Sequence, residues 1–253
     1  MLIIMRTMLI GFLRDLHTLF LTIVFPAGLF LGLGWYYSDT DYHAQLLGGV
    51  LAMNLLFGAT MVTAFNVMAQ RNRGVYKLLR ATPFSTASFI YAMTGARAVI
   101  ILLVSGCILL LGAIFFHITL SLTTLLLIVL VLLIGTILFT AVGFIAANLS
   151  RDESNVNLIS NLISFPMLFA SEAFYSLQGA PGWVVAFSRI QPFYYLIEAM
   201  KASIDSAYAE VAFPLLMLAI FTVLMLLIAM FTFRWDHEGR RFGRRHAHKP
   251  QNL

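Results

Sequence analysis

A chain of 253 residues that is 60% hydrophobic and only 11% charged, with a mean hydropathy of +0.90, is not an ordinary soluble domain, which carries about 25% charged residues. Apolar runs of eighteen or more residues recur, each able to cross roughly 30 Å of hydrocarbon; barrel strands, short and alternating polar with apolar, are excluded, and the expected fold class is an all-α polytopic membrane protein. The net charge of +5 reads as topogenic loop charge with no nucleic-acid partner, and the lone cysteine, Cys107, leaves no disulfide framework or thiolate metal site within one chain.

In chain order, MLIIMRTMLIGFLRDLH lacks the ordering of a signal peptide and predicts an amphipathic interfacial helix over 1–16, with Arg6, Arg14 and Asp15 toward water. A first span is expected at 17–36, then the acidic loop SDTDYH (38–43) and a second span at 46–69. A short basic helix over 70–86 precedes a third span at 87–116, and the tight turn HITLS (117–121) folds the fourth, 122–148, back as a hairpin. SRDESNVN (150–157) is a polar loop, and a fifth span is expected at 158–175. Residues 176–210 are too polar to span, yet Trp183, Phe187, Phe193, Tyr194 and Tyr195 are too aromatic for a solvated loop. Such composition settles at headgroup level, so two short interfacial or re-entrant helices, broken at Gln191-Pro192, are predicted between spans five and six. The sixth span covers 212–233, and 234–253 is a basic tail; the whole of 1–253 reads as a single transmembrane domain with six spans.

With the N-terminus inside, Arg6, Arg14, Arg71, Arg73, Lys77, Arg80, Arg151 and the six Arg/Lys of the tail all fall in the cytoplasm, leaving Arg189 and Lys201 outside. A multi-pass protein of the cell (plasma or inner) membrane with both termini cytoplasmic is expected.

No HExxH, GxSxG, GxxxxGK[ST] or metal-spaced His/carboxylate set is present, so no catalytic or metal-ligating residue is expected, and the chain is not an enzyme by itself. Among the ionisable residues near the spans, Arg97 is expected to snorkel to the interface, and Glu172 either lines an exit path, pairs with Arg189 or Lys201, or is a plain interfacial carboxylate. Asn54, Asn66, Asn155, Asn157 and Asn161 are expected to hydrogen-bond between helices, while Gly48, Gly49, Gly58, Gly135 and Gly143 permit close approach. In QRNRGVYKLLRATPFS (70–85), Val75, Leu78 and Leu79 recur at helical spacing opposite Arg73, Lys77 and Arg80, and Thr82-Pro83 ends the run. The residues by themselves fit both a topogenic loop and a helix that docks into a cytoplasmic partner.

Two stretches of this sequence resemble the permease subunit of an ABC transporter of the type-2 exporter family. The first is the 70–85 stretch, matching that family's first cytoplasmic loop at Gly74, Leu78, Leu79, Thr82, Pro83 and Ser85 and departing at Gln70 and Val75. The second runs from Ser171, Phe174 and Tyr175 through Pro181, Trp183, Pro192, Tyr195 and Lys201, departing at Glu172 and Ser176 and with Lys where Arg is usual. The resemblance implies a coupling helix carried by Arg71, Arg73, Gly74, Lys77, Leu78, Leu79, Arg80 and Pro83. It implies an outer gate drawn from Ser171, Glu172, Phe174, Tyr175, Trp183, Pro192 and Tyr195. Two cytoplasmic ATPase subunits would bind ATP and magnesium, this chain having no cofactor of its own, and a second permease copy, identical or related, would complete the path in the bilayer. The cargo would be a hydrophobic drug, an antibiotic, a lipid or a lipid-linked glycan. The alternatives are a stand-alone secondary transporter or channel, which calls for buried charge pairs or a discontinuous helix at the midplane, and a membrane-embedded enzyme, which calls for a catalytic set.

Overall fold

The computed structural model describes residues 20–37, 40–74, 86–177 and 179–232, and among them every regular element is helical. A π-helical turn, Phe20–Val24, leads into α1 (Phe25–Tyr36), followed by α2 (Thr40–Asn72), α3 (Thr86–Phe115), α4 (Leu122–Leu149) and α5 (Glu153–Phe169). Two short helices, α6 (Gly182–Ile190) and α7 (Pro192–Ile204), precede α8 (Tyr208–Thr232). The expected interfacial helix over 1–16, the core of the basic stretch and the tail lie outside the described residues.

Four helices are long and apolar enough to cross a membrane: Tyr42–Asn72, Met93–Phe115, Leu122–Leu149 and Tyr208–Thr232. They coincide with the second, third, fourth and sixth spans read from the sequence. The helix near the expected fifth span is displaced: α5 begins at Glu153 and ends at Phe169, where 158–175 was expected. Its start is early because the Asp152 carboxylate accepts the Asn155 N–H at 2.8 Å, an N-cap that converts polar SRDESN from loop into first turn. Its end is early because the chain folds back there: Ser171 Oγ donates to the Leu168 carbonyl at 2.7 Å, and the Tyr175 hydroxyl donates to that of Phe169.

α2 is the central post. It packs most extensively on α4, and also on α5, α7, α3 and α1. Leu47, Leu51, Leu55 and Ala59 of α2 are buried with Ile101 and Ile108 of α3, Ile128 and Phe139 of α4, and Phe193 and Leu196 of α7. Toward the Arg71 end of α2 a second cluster gathers Ala64, Val67, Met68, Met93, Phe144, Ala147 and Val156. Two glycines set how closely the post is approached. A Cβ on Gly143 would stand 2.5 Å from the Thr60 carbonyl oxygen, and one on Gly49 would strike the backbone of Ala173. Gly48 and Gly135 also meet neighbouring side chains, whereas Gly58 faces open space.

α4 and α8 run parallel and are tied at both ends. Ser121, which caps α4 by accepting the Thr124 N–H at 3.1 Å, also lies 2.9 Å from the Tyr208 hydroxyl, and Asn148 Nδ2 donates to Thr232 Oγ1 at 3.4 Å. At the turn between α3 and α4, His117 adopts a positive φ of 54°, and the two helices form the expected antiparallel hairpin. Cys107 faces outward from α3.

Candidate functional site

Chemistry-bearing residues gather at the two ends of the bundle. At the first, α2 continues through Gln70, Arg71 and Asn72; the Arg73 N–H reaches the Ala69 carbonyl at 3.0 Å and the Gly74 N–H that of Arg71 at 3.1 Å. Gly74 then takes φ +70°, the left-handed conformation in which glycine closes a helix, so the chain leaves α2 there. The Arg71 guanidinium turns back onto the bundle, donating from Nη1 to the Ala147 carbonyl at 3.2 Å and from Nη2 to Asn148 Oδ1 at 3.1 Å. A cation at the C-terminal end of α4 meets unpaired carbonyls and the negative end of the helix dipole. With the Asn148–Thr232 bond, one arginine draws the ends of α2, α4 and α8 together. Arg73 is exposed; Lys77, Leu78, Leu79, Arg80 and Pro83 lie outside the described residues. Asn148 and Thr232 were missed from the sequence; a polar pair closing two apolar runs was the available signal.

At the opposite end a cavity of about 380 Å³ opens between α2 and α7, lined by Gln45, Gly48 and Gly49 of α2, by Glu172, and by Ile197, Lys201 and Asp205. The segment after α5 forms its rim. Gln45 Nε2 donates to the Glu172 carbonyl at 3.3 Å, and the Glu172 carboxylate accepts the Leu177 N–H at 3.3 Å, so this short loop is strapped to α2 and to itself. Glu198, half-buried beside this rim, has its carboxyl held above the usual range; burial is the main cause, Glu172 and Glu210 add to it, and Lys201 opposes it.

The α6–α7 break falls where it was expected. Gln191 Nε2 donates to the carbonyls of Met167 at 3.1 Å and Ala170 at 2.7 Å, pinning the break to the end of α5, and Pro192 starts α7 at a position that needs no N–H donor. Tyr195 donates to the Arg189 carbonyl at 2.9 Å and packs on Phe213 and Phe221 of α8.

The gate residues predicted from sequence are therefore divided. Glu172 lines the cavity; Ser171 is buried in the turn; Phe174 packs partly on the central cluster, and Tyr175 is exposed beside Phe169. Pro192 is interior, Tyr195 faces α8, and Trp183 stands exposed on α6. Gln45 and Asp205 were not anticipated.

Two further expectations change. Asn155, Asn157 and Asn161 do not bridge helices: Asn155 bonds its own cap residue Asp152 at 3.2 Å, and Asn161 bonds Asn157 one turn away at 2.8 Å. The outward side of α5 thus carries exposed Asn157 among exposed Leu158, Leu162 and Phe165. Arg97 does not snorkel along lipid; it is turned into the bundle, 7% exposed, because the face it shares with Met93 and Ile101 packs inward. Among the described residues no group of three His, Cys, Asp or Glu could hold a metal ion.

A family model described as ABC-2 type transporter matches residues 1–204. No curated protein matches the chain in sequence. That match takes in α1 through α7, including both ends where the polar residues gather, and four helices have the length and apolarity of membrane spans; the chain belongs to the ABC-2 type transporter family, the membrane-embedded permeases of ABC transporters.

Proposed function

We propose that the chain is half of the translocation path of an ATP-driven exporter, working as a pair of permeases, identical or related, driven by two cytoplasmic ATPase subunits. The observation that carries this reading is the outer face of α5. A 17-residue helix that exposes Asn157 beside Leu158, Leu162 and Phe165 is poorly suited to lipid, since the Asn157 side-chain carbonyl accepts from Asn161 but its own NH2 would find no acceptor in hydrocarbon. Facing a second copy across a path for amphipathic cargo, the same mixture is useful: the leucines and phenylalanine contact apolar parts, and the amides contact polar ones. On this reading α1 with the residues before it and α5 complete six spans, α6 and α7 are re-entrant, and both termini are cytoplasmic, as the basic residues at the Arg71 end favour.

The same geometry suggests how drive would reach the path. The basic 70–85 segment would sit in a cleft of the ATPase, and its root is held by Arg71 to the ends of α4 and α8. Displacement of that segment would therefore pull on three helices together. At the far end, the rim loop strapped by Gln45 and Glu172 over the 380 Å³ cavity would be the part that yields when cargo leaves. Cargo class is a hydrophobic drug, an antibiotic, a lipid or a lipid-linked glycan.

The test is co-purification of the chain from its native membrane. An ATP-hydrolysing partner should accompany it, and Leu78→Asp should abolish cargo-stimulated ATP hydrolysis while the chain still reaches the membrane. Transport that continues without any ATPase would overturn the proposal in favour of a stand-alone transporter.

A further inference from the structure

The cavity between α2 and α7 is lined by charges of both signs that do not neutralise one another. Lys201 and Asp205 stand four residues apart at the end of α7, a spacing at which opposite charges on a helix can meet, and both line the cavity with Glu172. Yet among the described residues the Lys201 ammonium and the Asp205 carboxylate make no ion pair and no hydrogen bond, with each other or with Glu172. The Glu172 carboxylate accepts only the Leu177 N–H, and Gln45, which donates to the Glu172 carbonyl, has its own side-chain oxygen left over.

The charge balance, the acceptors and the depth of the cavity each narrow what fits it. The balance is acidic: Glu172 and Glu210 both oppose ionisation of Glu198, and Lys201 alone favours it. A ligand therefore gains by bringing a positive group to Glu172 and Asp205 and a negative one to Lys201. Carboxylate and amide oxygens suit the N–H donors of a primary ammonium. Among the described residues no aromatic ring lines the cavity, so a quaternary ammonium finds no ring face to hold it. About 380 Å³ lies at the small end of the roughly 300–1,000 Å³ of ligand pockets, room for a compact polar group. The cavity also sits where two membrane-length segments begin, with Gln45 just inside the start of one at Tyr42 and Asp205 just before the start of the other at Tyr208. That is the level of lipid headgroups.

We propose that this cavity binds a zwitterion in which a primary ammonium neighbours a phosphate, as in phosphoethanolamine. The ammonium is held by Glu172, Asp205 and the Gln45 side-chain oxygen, and the phosphate by Lys201, whose ammonium binds phosphate as a point charge. Gly48 of α2 leaves the wall facing α7 without a side chain: a Cβ there would already stand 3.3 Å from Ile204 Cδ1. The site does not rest on the transport proposal; a lipid resident at the rim satisfies the same groups as one in transit.

The test uses the purified full-length chain in dodecylmaltoside, with unfolding followed by tryptophan fluorescence. Phosphatidylethanolamine at a hundredfold excess over its Kd should raise the Tm by roughly 5–10 °C, and phosphatidylcholine and phosphatidylglycerol should raise it far less. Lys201→Glu should abolish the phosphatidylethanolamine shift. Glu172→Gln/Asp205→Asn should invert the preference, so that phosphatidylglycerol becomes the better of the two, a change that loss of a merely structural contact does not produce. Lys201 and Asp205 are exposed, and Asp205→Asn alone should weaken the shift, which keeps the test decisive if the double variant does not fold. A shift with O-phosphoethanolamine alone that is lost in Lys201→Glu supports the site and assigns it to a water-borne ligand. A wild type that responds equally to all three lipids, or a phosphatidylethanolamine shift that survives both Lys201→Glu and Asp205→Asn, overturns the proposal.

Discussion

α2 and α8 are both membrane-length helices, and they invert the rule that apolar means interior. α2 is the least hydropathic of the four candidate spans, with Gln45 bonded to the Glu172 carbonyl and Thr60 to that of Phe139, yet 78% of its most apolar stretch is buried in the bundle. α8 is more apolar, and only 22% of its corresponding stretch is buried; Phe213, Leu216, Val223, Met230 and Phe231 all face outward. In water the apolar helix would be the core. In hydrocarbon, leucine gains little by leaving lipid, so what distinguishes an interior helix is small residues that admit close approach and polar groups that find protein partners.

Breaking the close approach should have the largest effect. Gly143→Leu places a side chain where the Thr60 carbonyl stands, and Gly49→Leu does the same against Ala173; each should cost about 3 kcal/mol or more and sharply reduce the folded fraction seen by size-exclusion chromatography. Next, Arg71→Ala removes the two bonds that join the end of α2 to that of α4, leaving the Asn148–Thr232 bond in place. A loss of about 1.5–3 kcal/mol is expected in thermal unfolding, with no change for Arg73→Ala, whose side chain is exposed.

A smaller effect is expected from the rim and depends on pH. The Glu198 carboxyl is raised in the fold, mainly by burial, so the folded chain holds a proton that the unfolded chain releases. Stability should therefore be greatest below the ordinary glutamate value, fall as pH rises from there to the raised folded value, and stay level above it. Glu198→Gln should remove that decline, and Lys201→Met should steepen it, because Lys201 is the group that opposes the shift. The smallest effect is reserved for α8: Leu216→Ala or Phe231→Ala should change stability in detergent by about 0.5 kcal/mol or less. A large loss at either position would mean that this face of α8 is a protein contact.

How far the sequence was legible differs from element to element. The turn at HITLS and the break at Gln191-Pro192 were readable because local chemistry dictates both: polar residues interrupt an apolar run in one, and a proline can begin a helix but not continue one in the other. The start of α5 was misread because ESNVN looks the same in a loop and in a capped first turn; only the position of the Asp152 carboxylate distinguishes them. The asparagines of α5 were rightly singled out as polar groups, but their bonds stay within the helix. Arg97 was misplaced for a related reason. Its distance from the end of an apolar run says how deep it lies, not which way it faces, and α3 is apolar on every side.

Composition and run length by themselves determined that this is a helical membrane protein, where its long spans lie and where the chain turns, because transfer into hydrocarbon and the rigidity of proline and glycine act residue by residue. Which helix stands at the centre, that Arg71 and Asn148 together link three helix ends, and that Arg97 is turned into the bundle were decided only by tertiary packing. Inside a bilayer the hydrophobic effect no longer ranks helix faces, and the choice falls to close contacts between backbones and hydrogen bonds between residues far apart in the chain.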